Sequence, residues 1–211
     1  KIEECINEGI IIGKNRVAGI VGNCDENNLN IKSCINKGDI QSKAYYTGGI
    51  IGYCYSEGGK IQNCSNTGNI IFDNTTLNMD VGGIIGYCNK LSIIENSYNS
   101  GNIQILNCGE YNNNKVGGII GSSNCELNVK SCYNTGAITS FVNANTGGIV
   151  GYSNDNIRIH DCYNTGNINI NPNKTEGSRY HYVGGIIGSS YEENGSIEYC
   201  YNTGNITVIA N

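Results

Sequence analysis

The chain has 211 residues, a net charge of −5 and only 15% charged side chains, with no basic stripe. This charge pattern disfavours a nucleic-acid partner. No apolar run approaches the ~20 residues that a membrane-spanning helix needs, so no membrane span is predicted. Thirty glycines and a single proline are typical of a turn-rich repeat rather than of a collagen-like chain.

One phrase recurs along the chain, and residues 47–70 carry its clearest copy, TGGIIGYCYSEGGKIQNCSNTGNI. Its opening, of the form VGGIIG or TGGIVG, occurs six times and begins at positions 17, 47, 81, 116, 146 and 183. Its closing, Cys-x-Asn-x-Gly-x-Ile, occurs seven times, with Ser97 in place of one cysteine, and the closing glycines lie 29 to 38 residues apart. A period of about 30 residues predicts a repeat architecture.

In chain order, a half repeat comes first and six full repeats follow, at residues 1–11, 13–40, 47–70, 81–103, 116–138, 146–168 and 183–206. We expect one domain, spanning residues 1–211. The bridges between repeats differ in length, and the longest are residues 71–80, 104–115 and 169–182. Bridges of unequal length between equal coils form loops on one side of a solenoid, and such loops often form its binding face.

Four columns of β-branched residues predict strands. Two lie side by side in the opening phrase, as Ile50 and Ile51 do; a third lies three residues before the cysteine, as Ile61 does; the fourth follows the closing glycine, as Ile70 does. β-branched residues favour strands, and each apolar run is too short for a helix. Each copy is predicted to form three short strands, and the chain to form an all-β, right-handed parallel β-solenoid with one coil per repeat.

The asparagine of the closing phrase is present in all seven copies. Asparagine tolerates a left-handed backbone and bonds local backbone groups, so it suits a turn. Asparagines stacked in register also bond one another as a ladder. The predicted ladder residues are Asn7, Asn36, Asn66, Asn99, Asn134, Asn164 and Asn202.

Most of the eleven cysteines follow the same period. One column comprises Cys5, Cys34, Cys64, Cys132, Cys162 and Cys200, and a second comprises Cys24, Cys54 and Cys88, with Ser123, Ser153 and Ser190 completing it. Cys108 and Cys125 lie outside both columns. The leading interpretation is a small buried position, where cysteine behaves as a small hydrophobe. Disulfides between neighbouring coils or within one coil are the alternative, and the absence of any C-x-x-C spacing argues against a metal site.

Tyrosine follows the cysteine position in the later copies, as Tyr98, Tyr133, Tyr163 and Tyr201. The simpler interpretation is packing along the stack. The functional hypothesis is an exposed aromatic strip on which a glycan or another filament rests. Tyr180 and Tyr182 in the last bridge are further candidate binding residues.

The repeated phrase resembles the GLUG-motif repeat family, through GGIIG or GGIVG at residues 48–52, 82–86, 117–121, 147–151 and 184–188, with isoleucine where leucine is usual. The partner phrase of that family stands here as Cys-Tyr-Asn-Thr-Gly. GLUG repeats occur in bacterial surface proteins, including adhesins and the non-catalytic regions of immunoglobulin-A-cleaving peptidases. The resemblance implies a surface-exposed β-solenoid, but it does not imply any particular activity.

No catalytic constellation is visible in the sequence. The acidic residues are scattered over different repeat positions, H-E-x-x-H is absent, and the repeated GGIIG lacks the following helix of a phosphate-binding loop. The sequence therefore predicts a protein that is not an enzyme and that holds neither a cofactor nor a metal.

The leading prediction is an extracellular or cell-surface structural protein of a bacterium, either a stalk or adhesin segment or a self-assembling filament subunit. Its partners would be copies of itself stacked end to end, or the rest of a longer surface protein, because both ends of a solenoid expose unpaired strand edges. The alternative is a module that binds a host glycan or protein through the long bridges and the tyrosine column.

Overall fold

The structure is a computed structural model that describes residues 1–75, 78–108, 113–172, 182–191 and 194–209. Within these ranges all regular structure is β, and strands of successive copies pair in parallel. The predicted all-β parallel solenoid is therefore confirmed. The described residues form no helix of the length and apolarity that crossing a membrane requires.

Each coil passes through four stacked sheets. The opening sheet comes first and contains strands Arg16–Ala18, Tyr46–Gly48, Asp80–Gly82, Lys115–Gly117, Asn145–Gly147 and Val183–Gly184. The long sheet comes second and contains strands Ile2–Glu3, Val21–Cys24, Asn30–Lys32, Ile51–Gln62, Ile85–Glu95, Ile120–Ser123, Leu127–Lys130, Val150–Ser153, Ile157–His160, Ile187–Ser190 and Ser196–Glu198.

Two seven-stranded sheets complete the coil. The asparagine sheet contains strands Ile6–Asn7, Ile35–Asn36, Ser65–Asn66, Tyr98–Asn99, Tyr133–Asn134, Tyr163–Asn164 and Tyr201–Asn202. The closing sheet contains strands Ile11–Gly13, Ile40–Ser42, Ile70–Asp73, Ile103–Asn107, Ile138–Ser140, Ile168–Ile170 and Ile206–Val208.

The expectation of three strands per copy is wrong, because the opening strand is a fourth. That strand has a single inward β-branched residue, such as Thr47 in the reference copy, followed at once by glycine. A single inward residue produces no alternation of apolar and polar side chains from which a strand could have been predicted. Ile50 and Ile51 are both buried, although they are neighbours, because the chain turns between the opening and long strands.

The predicted columns stack in register. In the long sheet Ile61 lies opposite Ile31 on one side and Ile94 on the other. In the closing sheet Ile70 lies between Ile40 and Ile103 in the same way. Because these residues recur at the same position of each repeat, stacking of the coils buries them against one another along the axis.

The cross-section of the solenoid has two lobes, each with its own hydrophobic core. The cysteine lobe runs from the second glycine of the opening phrase to the asparagine, and its core contains isoleucine, valine, leucine and cysteine. The bridge lobe runs from the asparagine to the next opening phrase, and its core includes Phe72, Met79 and Ala144. The cysteine lobe has 17 or 18 residues in each full copy, whereas the bridge lobe, counted from the asparagine to the second glycine of the next opening phrase, varies from 13 to 22. The bridges therefore lie on one side, as predicted.

Glycine and asparagine form a narrow waist between the lobes. A methyl group on Gly49 would lie 2.5 Å from Asn66 Cβ, so no larger residue fits between these two chain segments. A methyl group on Gly68 would lie 2.6 Å from the carbonyl carbon of Gly38 in the preceding coil. Glycine is required at these positions because another backbone approaches closely.

Candidate functional site

The seven asparagines lie in one column along the waist. The Nδ2 of each asparagine from Asn7 to Asn164 donates to Oδ1 of the asparagine in the next coil, at 2.6–2.8 Å. The same Nδ2 donates to the carbonyl oxygen of the glycine two residues later, at 2.8–2.9 Å. The five inner members are buried, and both amide hydrogens of each are used. The column thus forms a continuous hydrogen-bonded ladder with one direction.

The left-handed backbone that was expected at the asparagines lies elsewhere. Positive φ values of 49–55° occur at the residue before the cysteine or serine of every copy, namely at Glu4, Ser33, Asn63, Asn96, Ser131, Asp161 and Tyr199. None of the ladder asparagines is among the residues with positive φ in the described part of the chain. The asparagines bond the local backbone, but the turn itself is the corner between the long and asparagine sheets.

The first cysteine column lies just after this corner. Each thiol donates to the carbonyl oxygen two residues earlier, with Sγ–O distances of 3.2–3.4 Å. Ser97 makes the same bond through its hydroxyl, at 2.9 Å from Glu95 O. Cys34, Cys64, Cys132 and Cys162 are buried. The position therefore requires a small side chain that can donate to a corner carbonyl, and this explains why serine replaces cysteine.

All eleven cysteines are free thiols. In the second column Cys54 lies opposite Cys24 and Cys88 in register, and Ser123 follows Cys88. Burial raises the pKa of the Cys54 thiol to about 12 and that of Cys64 to about 11. These two thiols are therefore unreactive at neutral pH, which agrees with the interpretation of their positions as small buried ones.

The four tyrosines stack face to face on the outside of the asparagine sheet. Adjacent ring centroids are 4.8–5.0 Å apart and the ring planes are within 3° of parallel. Tyr133 and Tyr163 each have a neighbouring ring on both faces. A sugar that stacks on an aromatic residue needs an exposed face, so the inner rings offer only their edges and hydroxyls. The packing interpretation describes this column better than a flat glycan platform does.

Of the two candidate binding tyrosines in the last bridge, the structure describes one. The Tyr182 side chain is exposed (44%), and its backbone N–H is bonded to Asn145 Oδ1 at 3.2 Å. Tyr180 lies outside the described residues. Tyr182 is therefore the bridge tyrosine that the structure places at the surface.

A cluster that sequence reasoning missed fills the outer corner between the opening and long sheets. Asp80 is buried there, its Oδ1 lies 3.4 Å from Lys115 Nζ, and its Oδ2 accepts a hydrogen bond from Ser122 Oγ at 2.6 Å. Burial raises the pKa of Asp80 although the Lys115 charge opposes this shift. Both polar partners of the carboxylate are supplied by the next coil, so the pair joins two coils.

Aromatic rings extend the same corner. Tyr53 and Tyr87 stack at 5.2 Å, Tyr46 packs tilted against both, and the Arg16 guanidinium lies 4.0 Å above the Tyr53 ring. The residues before the opening phrase vary from copy to copy among arginine, tyrosine, aspartate, lysine and asparagine. Because no residue type recurs at this position, the sequence gives no signal that these side chains meet, and the contact is seen only in the folded structure.

Among the described residues no group of three or more histidine, cysteine, aspartate or glutamate side chains is arranged to hold a metal ion. The geometry gathered here consists of an asparagine ladder, a thiol column, a ring stack and a charged corner. Each of these joins a coil to the next one. Together with the parallel sheets they define a β-solenoid repeat protein.

Comparison with protein families gives the same result. The GLUG motif matches residues 43–71, 142–169 and 180–207. The chain therefore contains GLUG motifs, and the copies between these segments stack on them in register. No curated protein and no solved structure has a significant match to the chain. The matched family is a repeat motif, which fits a structural repeat protein.

Proposed function

We propose that the protein is a non-catalytic structural rod outside a bacterial cell, extended by stacking further coils on its ends. The observation that carries this proposal is the direction of the asparagine ladder. Its first member, Asn7, has an Oδ1 that accepts no ladder bond, and its last member, Asn202, has an Nδ2 that donates only to Gly204. The two ends are therefore complementary, since one offers an acceptor and the other a donor.

The end surfaces support the same stacking. At the first coil Ile6 is exposed, and at the last coil Ile206 and Val208 are exposed. The corresponding columns are buried or half-buried between inner coils. A further coil of the same phrase would cover these side chains and pair the open strand edges. That coil comes either from a neighbouring stretch of a longer surface protein or from a second copy, which would make the protein a filament subunit.

One contact would oppose stacking of a second copy. Continuing the register of the long sheet places Glu198 opposite Glu3 of the next copy, whereas Glu3 within the chain lies opposite Lys32. Like charges directly opposite each other destabilise a strand pair. A filament of identical copies would therefore lengthen when Glu198 is replaced by lysine.

The test is negative-stain electron microscopy of the purified chain, with and without reductant. A filament subunit gives fibres in the wild type and longer fibres in Glu198→Lys. It gives short rods in Asn202→Asp, where the amide donor at the growing end is removed. Thr139→Lys, on the side of the solenoid, is the control and should behave as the wild type. Separate rods in all four proteins would contradict the filament form and favour a stalk or adhesin segment.

A second candidate is binding of a host glycan or protein by the bridges. The observation that favours it is that nearly all variation in copy length falls in the bridge lobe, where Tyr182 is exposed. Tyr182→Ala should reduce binding to an array of mammalian glycans. The control is Tyr191→Ala, which removes an even more exposed ring from the cysteine lobe. Absence of binding by the wild type, or equal loss in both variants, would contradict this role for the bridge.

A further inference from the structure

Two cysteines from neighbouring coils meet beside Ser123. Cys88 lies in the strand Ile85–Glu95, and its register partner in the next coil is Ser123. Cys125 follows two residues later, in the turn before Leu127. Its Sγ lies 3.6 Å from Ser123 Oγ and 3.5 Å from Leu91 O, an atom of the coil that carries Cys88. The turn thus points the Cys125 thiol back toward the coil of Cys88.

The two thiols differ in their access to solvent. Cys88 is fully buried in the core of the cysteine lobe, whereas Cys125 is 6% exposed and forms part of the wall of a surface groove of about 420 Å³. The groove is also lined by Glu57, Lys90 and Asp155. A small molecule in the groove can therefore reach Cys125 but not Cys88.

The contact between the thiols gives them different acidities. The hydrogen bond from the Cys88 thiol lowers the pKa of Cys125 below its usual value, although burial opposes this shift. The same hydrogen bond, together with burial, raises the pKa of Cys88. Thiolates are the attacking species in disulfide exchange. The accessible thiol is thus the more nucleophilic one, and the buried thiol lies directly behind it.

We propose that Cys125 and Cys88 form a thiol–disulfide exchange site for small cationic disulfides, in which Cys125 attacks and Cys88 resolves. The Cys125 thiolate attacks one sulfur of R–S–S–R, which forms the Cys125–S–S–R bond and releases RS⁻. Cys88 then loses its proton and attacks the Cys125 sulfur, which forms the Cys88–Cys125 disulfide and releases the second RS⁻. Both released thiolates take up protons, so two protein thiols are oxidised by two electrons and one small disulfide becomes two thiols.

The charge of the groove selects the kind of disulfide. Glu57, Glu126 and Asp155 line it against one cation, Lys90, and Glu126 is paired with Arg158. The net charge of these groups is negative, so a cationic disulfide is attracted and an anionic one is repelled. Cystamine should react faster than oxidised glutathione for this reason.

The chain contains its own control pair. Cys132 and Cys162 are also in contact: the Cys132 backbone N–H donates to Cys162 Sγ at 3.4 Å, and interaction with the Cys132 side chain lowers the pKa of Cys162. Both side chains are fully buried. If acidity alone decided reactivity, this pair would oxidise as Cys88 and Cys125 do; if groove access is required, it stays reduced.

The experiment treats the folded full-length chain with cystamine, blocks remaining thiols by alkylation, and maps the peptides by mass spectrometry. Trypsin cleaves after Lys115 and Lys130, so Cys125 is the sole cysteine of its peptide, and cleavage at Asp80 separates Cys88 from Cys64. We expect the Cys88–Cys125 peptide to appear at least about tenfold faster than any Cys132–Cys162 peptide, because exchange depends on access and thiolate fraction. Equal rates for the two pairs, or a first disulfide between Cys54 and Cys88, would overturn the proposal.

Two variants separate the roles of the thiols. In Cys88→Ser the mixed disulfide should remain on Cys125, because no resolving thiol is present. In Cys125→Ser the Cys88 thiol should stay unmodified. Modification of Cys88 in that variant, or none of Cys125 in Cys88→Ser, would contradict the assignment. The wild-type map decides between the pairs even if a variant does not fold.

Discussion

The two lobes of the solenoid carry the same stacking but tolerate variation differently. Every full copy of the cysteine lobe has 17 or 18 residues, while the bridge lobe ranges from 13 to 22. The cysteine lobe is closed at one end by the left-handed corner and at the other by the contact of Gly49 with Asn66. In the bridge lobe only the strands next to the waist repeat in register. Regular length is therefore enforced where both ends of a segment are fixed by backbone contacts.

The cores of the lobes show the same difference. The cysteine lobe repeats isoleucine, valine and cysteine at nearly identical positions. The bridge lobe contains Phe72 and Met79 beside one bridge and Ala44 or Ala144 beside others. Side chains of different size fill the bridge lobe because the chain around them differs in length. We expect substitutions at the waist to have the largest effects and substitutions within one lobe to have smaller ones.

The largest effect is expected at the waist, in Gly68→Ala. The new methyl group would lie 2.6 Å from the Gly38 carbonyl carbon, and two stacked coils would have to separate. We expect a loss of about 3–5 kcal/mol in the free energy of unfolding, measured by urea denaturation. The control is Gly9→Ala, at the same repeat position in the first coil, where the methyl group meets only Asn7 Oδ1 at 3.8 Å. Similar losses in both variants would show that stacking is not the cause.

The next effect is expected in the ladder, in Asn99→Ala. This change leaves one amide hydrogen of Asn66 Nδ2 without an acceptor and Asn134 Oδ1 without its ladder donor, and both residues are buried. We expect a cost of about 2–4 kcal/mol, since unsatisfied buried polar groups are expensive. Asn7→Ala removes only one ladder bond at an end and should cost less in the same denaturation series. An equal cost at both positions would argue against a continuous ladder.

A third test compares insertions in the two lobes. Four residues of glycine and serine inserted between Lys43 and Ala44, in a short bridge, should cost within about 1 kcal/mol, because loop closure depends weakly on length. The same insertion between Asn154 and Asp155 interrupts a turn that bonds Ser123 on one side and Tyr191 on the other. We expect the second insertion to cost about 2 kcal/mol more. Thermal denaturation of the two proteins checks the difference, and equal midpoints would contradict the distinction between the lobes.

The smallest effect is expected for Cys132→Ser, which imitates Ser97. The hydroxyl can donate to Lys130 O as the thiol does, so we expect a change within about 1 kcal/mol. Cys132→Val keeps an apolar side chain but removes the donor, and should cost more than the serine variant. If valine is the better tolerated of the two, the corner hydrogen bond does not explain this column.

Much of the fold could be predicted from the repeat period and from the β-branched columns. Ile31, Ile61 and Ile94 recur at one phrase position, and parallel stacking is the arrangement that buries them together. The opening strand could not be predicted, because it contributes one buried β-branched residue before its glycine. The left-handed corner gave only a weak signal, since Asn63, Asn96 and Asp161 share that column with serine, glutamate and tyrosine.

The candidate site was predictable in its columns but not in its contacts. The asparagine period predicted a ladder, but it did not predict that this ladder lies at a waist against Gly49. The tyrosine period predicted a strip, but only the ring planes show that the inner faces are covered. Cys125 belongs to no column, so nothing in its spacing relates it to Cys88.

The sequence by itself determined the coil, the register of its columns and the side on which length varies, because these follow from residues that recur with one period. The tertiary structure decided which columns meet across the coil. It brought glycine onto asparagine at the waist, Asp80 onto Lys115 at the outer corner and Cys125 onto Cys88 in the groove. Those contacts join residues that do not recur at one common position of the repeat. Whether such residues meet depends on how the chain turns within a coil.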